Sequence, residues 1–245
     1  MESNIIGLEI KDGISLFCAC RNREENLQIS LSSWLSFDEV NEIGIVDWSS
    51  DISPSITDDR VSMIRAENED GWCLSKAYNL AAGFTTRTNI CKVDCDYILK
   101  NDFFNKYEPD QKSFYAGNHN ICRDRNEKFL NGLVYLKRDI FFSVNGYNEN
   151  IIKYGYDDTD LYKRLEADCI ERLDISPDDA EHIEHPNDVR GISENFWDSW
   201  PENAGCLIEN MNLSSARIWS TDDSMASYHI TKQDNFYKCK RIRKT

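Results

Sequence analysis

No apolar run in the sequence approaches the ~20 residues needed to cross a bilayer, so a membrane-spanning helix is not expected. The opening stretch MESNIIGLEIKDGISLF lacks a basic segment followed by a long apolar one, and a secretory signal peptide is not expected there either. Nine cysteines contain no C-x-x-C pair and no framework spacing, which points to reduced thiols in a cytoplasmic protein. A surplus of positive charge is also missing. The formal charge of -15 leaves no overall basic footprint to neutralise phosphates, which excludes a general nucleic-acid binder. Neither an internal repeat nor a low-complexity linker divides the 245 residues, and a chain of this length buries a core without disulfides. A single domain is therefore expected. The tail KCKRIRKT is an exception to the acidic balance; it reads either as a solvated terminus or as a weak peripheral contact with an anionic membrane.

What is present is an alternation of strands and helices. Ile14 to Cys20 is an apolar strand, followed by the polar turn Arg21-Asn22-Arg23 and a helical pattern in Leu27, Ile29, Leu31, Trp34 and Leu35. Ile43 to Asp47 and Val61 to Ile64 read as further strands, Ser75 to Ala82 as a helix, and Asn89 to Val93 as a strand running into Asp94 and Asp96. This order predicts an α/β fold with a mixed, mostly parallel sheet flanked by helices. Ligands of such sheets sit at the carboxyl ends of the strands, so the polar residues after Cys20, Val46 and Val93 should converge on one crevice. Farther on, Gly132 to Leu136 resembles a strand, Asp139 to Val144 a short helix and Asp157 to Ala167 a helix with an acidic first turn. Beyond Ile183 the periodicity fades, and Trp197, Trp200 and Trp219 stand among polar residues in what reads as irregular chain.

The most informative motif is Asp94-Cys95-Asp96, because two carboxylates one residue apart at a strand end can hold a hard divalent ion against a diphosphate. Any acidic loop can produce D-x-D, so its company matters. The stretches ISLFCACRNREENL, IGIVDWSSD, KAYNLAAGF with NICKVDCDYIL, and NGLVYLKRDIFFSVNGYNENIIKYGYDDTDLYKRL follow one another. In that order they resemble the GT-A glycosyltransferases, in particular the inverting group that includes the beta-1,4-galactosyltransferases, family 2 and the bacterial chondroitin-polymerase-type transferases. The resemblance spans roughly residues 14 to 190.

The resemblance implies a GT-A fold in one domain: a nucleotide-binding part at about 14–100, an acceptor and catalytic part at about 101–190, and a C-terminal, acceptor-side cap at 191–245. It also implies the site. Asp96 would ligate Mn2+ or Mg2+ together with His185, or with His182 in its place. Asp158 would be the general base, Asp157 would lie near the acceptor, Asp94 would assist Asp96 or contact the ribose, and Arg21, Arg23 and Asp47 would hold the nucleotide. The expected partners are a UDP-sugar and a carbohydrate acceptor, and the expected reaction is inverting transfer to a hydroxyl.

Each residue type suits its task. A divalent ion neutralises charge on a departing diphosphate, and a carboxylate within hydrogen-bond reach takes the proton of the attacking hydroxyl. Two departures stand out: the family's Gly-Trp-Gly-Gly is Lys153-Tyr154-Gly155-Tyr156 here, and Asp157 replaces a glutamate. The altered loop leaves open a nucleotide-sugar-binding module without turnover. A sugar nucleotidyltransferase would carry a glycine-rich loop after its first strand, and Cys18 to Asn22 contains no glycine.

Overall fold

The computed structural model describes residues 9–69, 71–100, 102–151, 155–185 and 228–242. At the centre of the main sheet is β1 (Lys11–Cys20), buried without a break from Phe17 to Cys20 because its neighbours and helices cover both faces. Parallel to it on one side run β2 (Val40–Trp48) and then β3 (Val61–Glu67); on the other side runs β4 (Arg87–Lys92). The crossovers are α1 (Glu24–Trp34) between β1 and β2, and α2 (Leu74–Gly83) between β3 and β4.

Side-chain alternation along β1 sorts the core into two layers. Phe17 and Ala19 join Val46, Trp48 and the Ala77, Tyr78 and Ala81 face of α2. Leu16, Cys18 and Cys20 join Ile43, Ile45 and the Leu27, Leu31 and Trp34 face of α1. Register places Cys20 opposite Asp47 and Phe17 opposite Lys92, so the loops after these strands meet at one end of the sheet.

The chain then turns back. β6 (Ser113–Gly117), β7 (Val134–Lys137) and β8 (Glu171–Ile175) extend the sheet, with β7 antiparallel to both β4 and β6 and β8 parallel to β6. Helices α4 (Arg138–Ser143) and α5 (Asp157–Ala167) start where the sequence places them, to within one residue. A separate two-stranded ladder joins β5 (Tyr97–Leu99) to β9 (Ala180–His182) and sets His182 opposite Tyr97. Trp34 of α1 locks this ladder by donating its indole N–H to the Tyr97 carbonyl at 2.9 Å. A short helix, α3 (Phe103–Lys106), follows β5.

The C-terminal expectations need correction where the chain is described. Residues 228–242 are part of the main sheet rather than a separate cap: β10 (Tyr228–Gln233) and β11 (Phe236–Arg241) make a hairpin whose second strand pairs in parallel with β3, at the edge of the sheet. Nor is the basic tail a frayed terminus over Lys238 to Arg241. Cys239 is fully buried, Lys238 pairs with Glu67 at 2.8 Å, and Arg241 pairs with Glu69 at 2.7 Å, so two of the tail's cations are held by acids at the end of β3. No described helix is long and apolar enough to cross a membrane. Trp197, Trp200, Trp219 and the Lys153-Tyr154 part of the altered loop lie outside the described residues. All eight described cysteines are free thiols.

Candidate active site

The strand ends open into a cavity of about 840 Å3 whose lining includes Arg21, Arg23, Asp94, Asp96, Asp157, Asp158 and His182. Six of these seven come from the expected nucleotide, metal, acceptor and base positions, and His182 is the expected alternative ligand. Asp47 is not among the lining residues. It is fully buried, pairs with Arg65 at 2.5 Å and accepts the Ser50 N–H at 3.0 Å, so its carboxylate ties the β2 end to β3. The link from Asp47 to the site is indirect: Ser50 Oγ accepts the Asn22 N–H at 2.9 Å, which shapes the turn carrying Arg21 and Arg23. Arg21 lines the cavity with its Nη1 buried and without a hydrogen-bond partner.

The D-x-D turn gathers the candidate metal ligands. Asp96 Oδ2 lies 2.9 Å from His185 Nε2, 3.7 Å from His182 Nε2 and 2.6 Å from Arg23 Nη1. One donor atom from each of Asp96, His182 and His185 falls within 4.8 Å of the others. Burial pushes the Asp96 carboxyl up, but the facing imidazoles of His182 and His185 and the charge of Arg23 outweigh it and hold the group well below the usual carboxylate range.

These residues fit a divalent ion. Asp96 Oδ1 is buried with no hydrogen-bond partner, a costly state for a carboxylate oxygen that a cation would relieve. One carboxylate with two imidazoles suits an ion of intermediate hardness, Mn2+ better than the strictly oxygen-seeking Mg2+. Sequence reasoning treated His182 and His185 as alternatives; the β5–β9 ladder brings both to Asp96.

The candidate base stands across the cavity. Asp158 opens α5, and its Oδ1 accepts the Tyr147 hydroxyl at 3.1 Å and lies 3.7 Å from Lys92 Nζ. Tyr147 is aimed by Asn79, whose side-chain amide accepts the Tyr147 N–H and donates to its carbonyl, both at 2.8 Å. The turn before it uses left-handed backbone at Asn145 and Gly146, both at φ 62°, and a Cβ at Gly146 would stand 2.5 Å from Asn79 Oδ1. Asp157 is buried beside Asp158, and burial together with the neighbouring carboxylate pushes its carboxyl up to about 7. Asp160, the last acid of the run, is spent on structure: it is fully buried and paired with Arg164 at 2.7 Å.

Sequence reasoning missed Lys92, Tyr147, Asn79 and Asn126, the last of which meets His182 Nδ1 at 2.6 Å through its side-chain oxygen. A lysine among the apolar residues of ICKVD was a visible signal; nothing marked the two asparagines.

The altered loop keeps the backbone of a glycine. Gly155 has φ 95° and Tyr156 has φ 75°, so a tyrosine at the edge of the cavity holds a left-handed conformation. A non-glycine residue there costs roughly 1–2 kcal/mol, against about 0.5–1 kcal/mol of extra chain entropy for glycine. Lys163 partly offsets the strain, donating to the Tyr156 hydroxyl and lying 4.8 Å from its ring centroid. Tyr156→Gly is expected to raise stability by about 0.5–1 kcal/mol in urea unfolding. A clear loss instead would mean that the Lys163 contacts outweigh the strain.

Known proteins resemble this chain in part of its sequence and in its fold. Residues 112–189 match the family model described as the N-terminal domain of galactosyltransferase. Beta-1,4-galactosyltransferase 4 of Cricetulus griseus is 30% identical over 145 residues, 56% of this chain and 38% of that protein. The chain thus spans well under half of that curated relative. Among solved structures, the catalytic domain of Drosophila beta-1,4-galactosyltransferase 7 with xylobiose superposes with a TM-score of 0.61 at 14% identity, covering 96% of this chain and 95% of that one. A mutant of the same enzyme, with manganese, UDP-Gal and xylobiose, matches equally, with a TM-score of 0.61 at 14% identity and the same 96% and 95% coverage. The Pyrobaculum calidifontis mannosyltransferase PcManGT, with GDP-Man and Mn2+, gives 0.58 at 13% identity over 89% of this chain and 70% of that one. The fold is GT-A, and the chain resembles the beta-1,4-galactosyltransferases.

Proposed function

We propose that this chain is a metal-dependent glycosyltransferase that moves a sugar from UDP to a carbohydrate hydroxyl with inversion. One observation carries the reading: the Asp96, His182 and His185 cluster, with its unpartnered buried carboxylate oxygen, adjoins the same cavity as the Asp158 carboxylate. Asp96, His182 and His185 would hold a divalent ion, which would supply charge neutralisation for the departing diphosphate. Arg21, whose Nη1 lacks a partner, is placed to meet the anionic donor. Asp158 takes the proton of the acceptor hydroxyl as that oxygen bonds to the anomeric carbon and the bond from that carbon to the diphosphate breaks. A single attack opposite the leaving group inverts the centre, and Tyr147 holds Asp158 for it.

The relatives and neighbours named above support UDP-galactose and manganese as the first donor and metal to try. Titrating UDP into the protein calorimetrically, once with Mn2+ and once with EDTA, tests the reading. Binding that requires Mn2+ is expected. Absence of binding in both conditions overturns it, and metal-dependent binding without any transfer product across a donor screen favours a binding module.

A further inference from the structure

We propose that Lys92 is a positioning residue for the transfer reaction, its buried ammonium fixing both the place and the charge of the Asp158 carboxylate against the D-x-D turn. The inference rests on the reading of Asp158 as the base. Lys92 ends β4 and is completely buried between Cys91 and Val93, which are buried as well. An ammonium in such a place needs opposite charge around it. Its Nζ forms an ion pair with Asp94 Oδ1 at 2.7 Å and lies 3.7 Å from Asp158 Oδ1 and 4.4 Å from the centroid of the Tyr78 ring. Tyr78 in turn donates its hydroxyl to Asp94. One cation therefore joins the nucleotide-side acid to the base, across residues far apart in sequence.

The surrounding chain is built to accommodate this group. Gly132 passes directly over it, and a Cβ there would stand 2.7 Å from Lys92 Nζ and 3.1 Å from both Asp158 Oδ2 and the Tyr97 hydroxyl. Any side chain at 132 would wedge the cation and the base apart. The groups that face Asp158 are Lys92 and Asp94 from β4 and its turn, Tyr147 from the turn after α4, Tyr97 from β5, and Asp157 and Tyr162 from its own helix. Among the described residues, Lys92 is the only cation in that set. Burial pushes the Asp158 carboxyl up, and the Lys92 charge is the chief opposing influence. Burial also works against the Lys92 charge, but Asp158 and Asp94 overcome it and keep the ammonium protonated above its usual range.

The test compares pH profiles of kcat for the full chain, wild type against Lys92→Met and Lys92→Arg, with Asp158→Asn as reference. Lys92→Met is expected to move the acid limb to higher pH, with kcat below the limb falling about tenfold for each unit moved and recovering at alkaline pH. Lys92→Arg should bring the limb back toward the wild type even if its bulk lowers kcat. A merely structural lysine would change stability and leave the limb in place, and an unmoved limb in folded Lys92→Met overturns the proposal. If Lys92→Met does not fold, NMR of the buried ammonium in the wild type decides. Its resonance should shift at the pH of the acid limb and lose that step in Asp158→Asn; a resonance blind to that pH overturns the proposal. Normal turnover in Asp158→Asn would sink the base assignment instead, so the two failures are distinguishable.

Discussion

Asp158→Asn is expected to lower transfer by about 10²–10⁴-fold while UDP binding stays nearly intact. The substitution keeps the shape of the side chain and its acceptor oxygen for Tyr147, which donates at 3.1 Å. It removes the capacity to take a proton, together with the charge that faces Lys92 and Asp157. Product formation measured by mass spectrometry, beside the Mn2+-dependent UDP titration, separates the two effects; near-normal turnover would refute the assignment of the base.

The same variant carries a pH signature through Asp157. Burial and the neighbouring Asp158 hold the Asp157 carboxyl at about 7, above the ordinary 3.8. Between those values the folded state binds more protons than the unfolded chain, so this group makes stability fall as pH rises through that window. With Asp158 neutral, one of the two causes is gone and the Asp157 carboxyl comes down. The fall in Tm between pH 4 and 7 is therefore expected to be shallower in Asp158→Asn than in the wild type.

How far the sequence announced this site follows from how locally each part is determined. The first half was legible because β1 and the middle of β2 carry apolar runs buried on both faces, and polar turns mark where β1 and β4 end. Helix α5 was legible because its acids sit at the positive end of the helix dipole, at Asp157, Asp158 and Asp160. In contrast, β5 and β9 are short strands that exist only by pairing with each other, so no local pattern revealed that His182 would reach Asp96. The β10–β11 hairpin was hidden by its charges, because lysines on an exposed strand read the same as lysines on a loose tail. Asp47 shows the opposite limit. A carboxylate at a strand end suggested a ligand contact, yet Arg65 from the neighbouring strand takes it, and only the parallel register of β2 with β3 puts that arginine there.

Asp96→Ala is expected to abolish the metal dependence of UDP binding, and the reason lies in how the ligand set is held. Asp96 is common to all three contacts, with His185, His182 and Arg23 grouped around its Oδ2. Removing it leaves two imidazoles and no anionic oxygen, a poor donor set for Mn2+. The orientation of His182 is set from behind. Asn126 donates its side-chain N–H to the His182 carbonyl at 2.9 Å, which fixes the amide so that its oxygen faces His182 Nδ1 at 2.6 Å. Nδ1 must then carry the proton, leaving the Nε2 lone pair directed toward the Asp96 side. Outer partners of this kind typically account for about 10–100-fold in metal affinity. Asn126→Ala is expected to weaken Mn2+ binding by about that factor without touching a metal ligand, and electron paramagnetic resonance of free Mn2+ at equilibrium measures it. Unchanged Mn2+ affinity in Asn126→Ala would show that His182 is not a ligand. Unchanged metal-assisted UDP binding in Asp96→Ala would remove the metal site from this end of the sheet altogether.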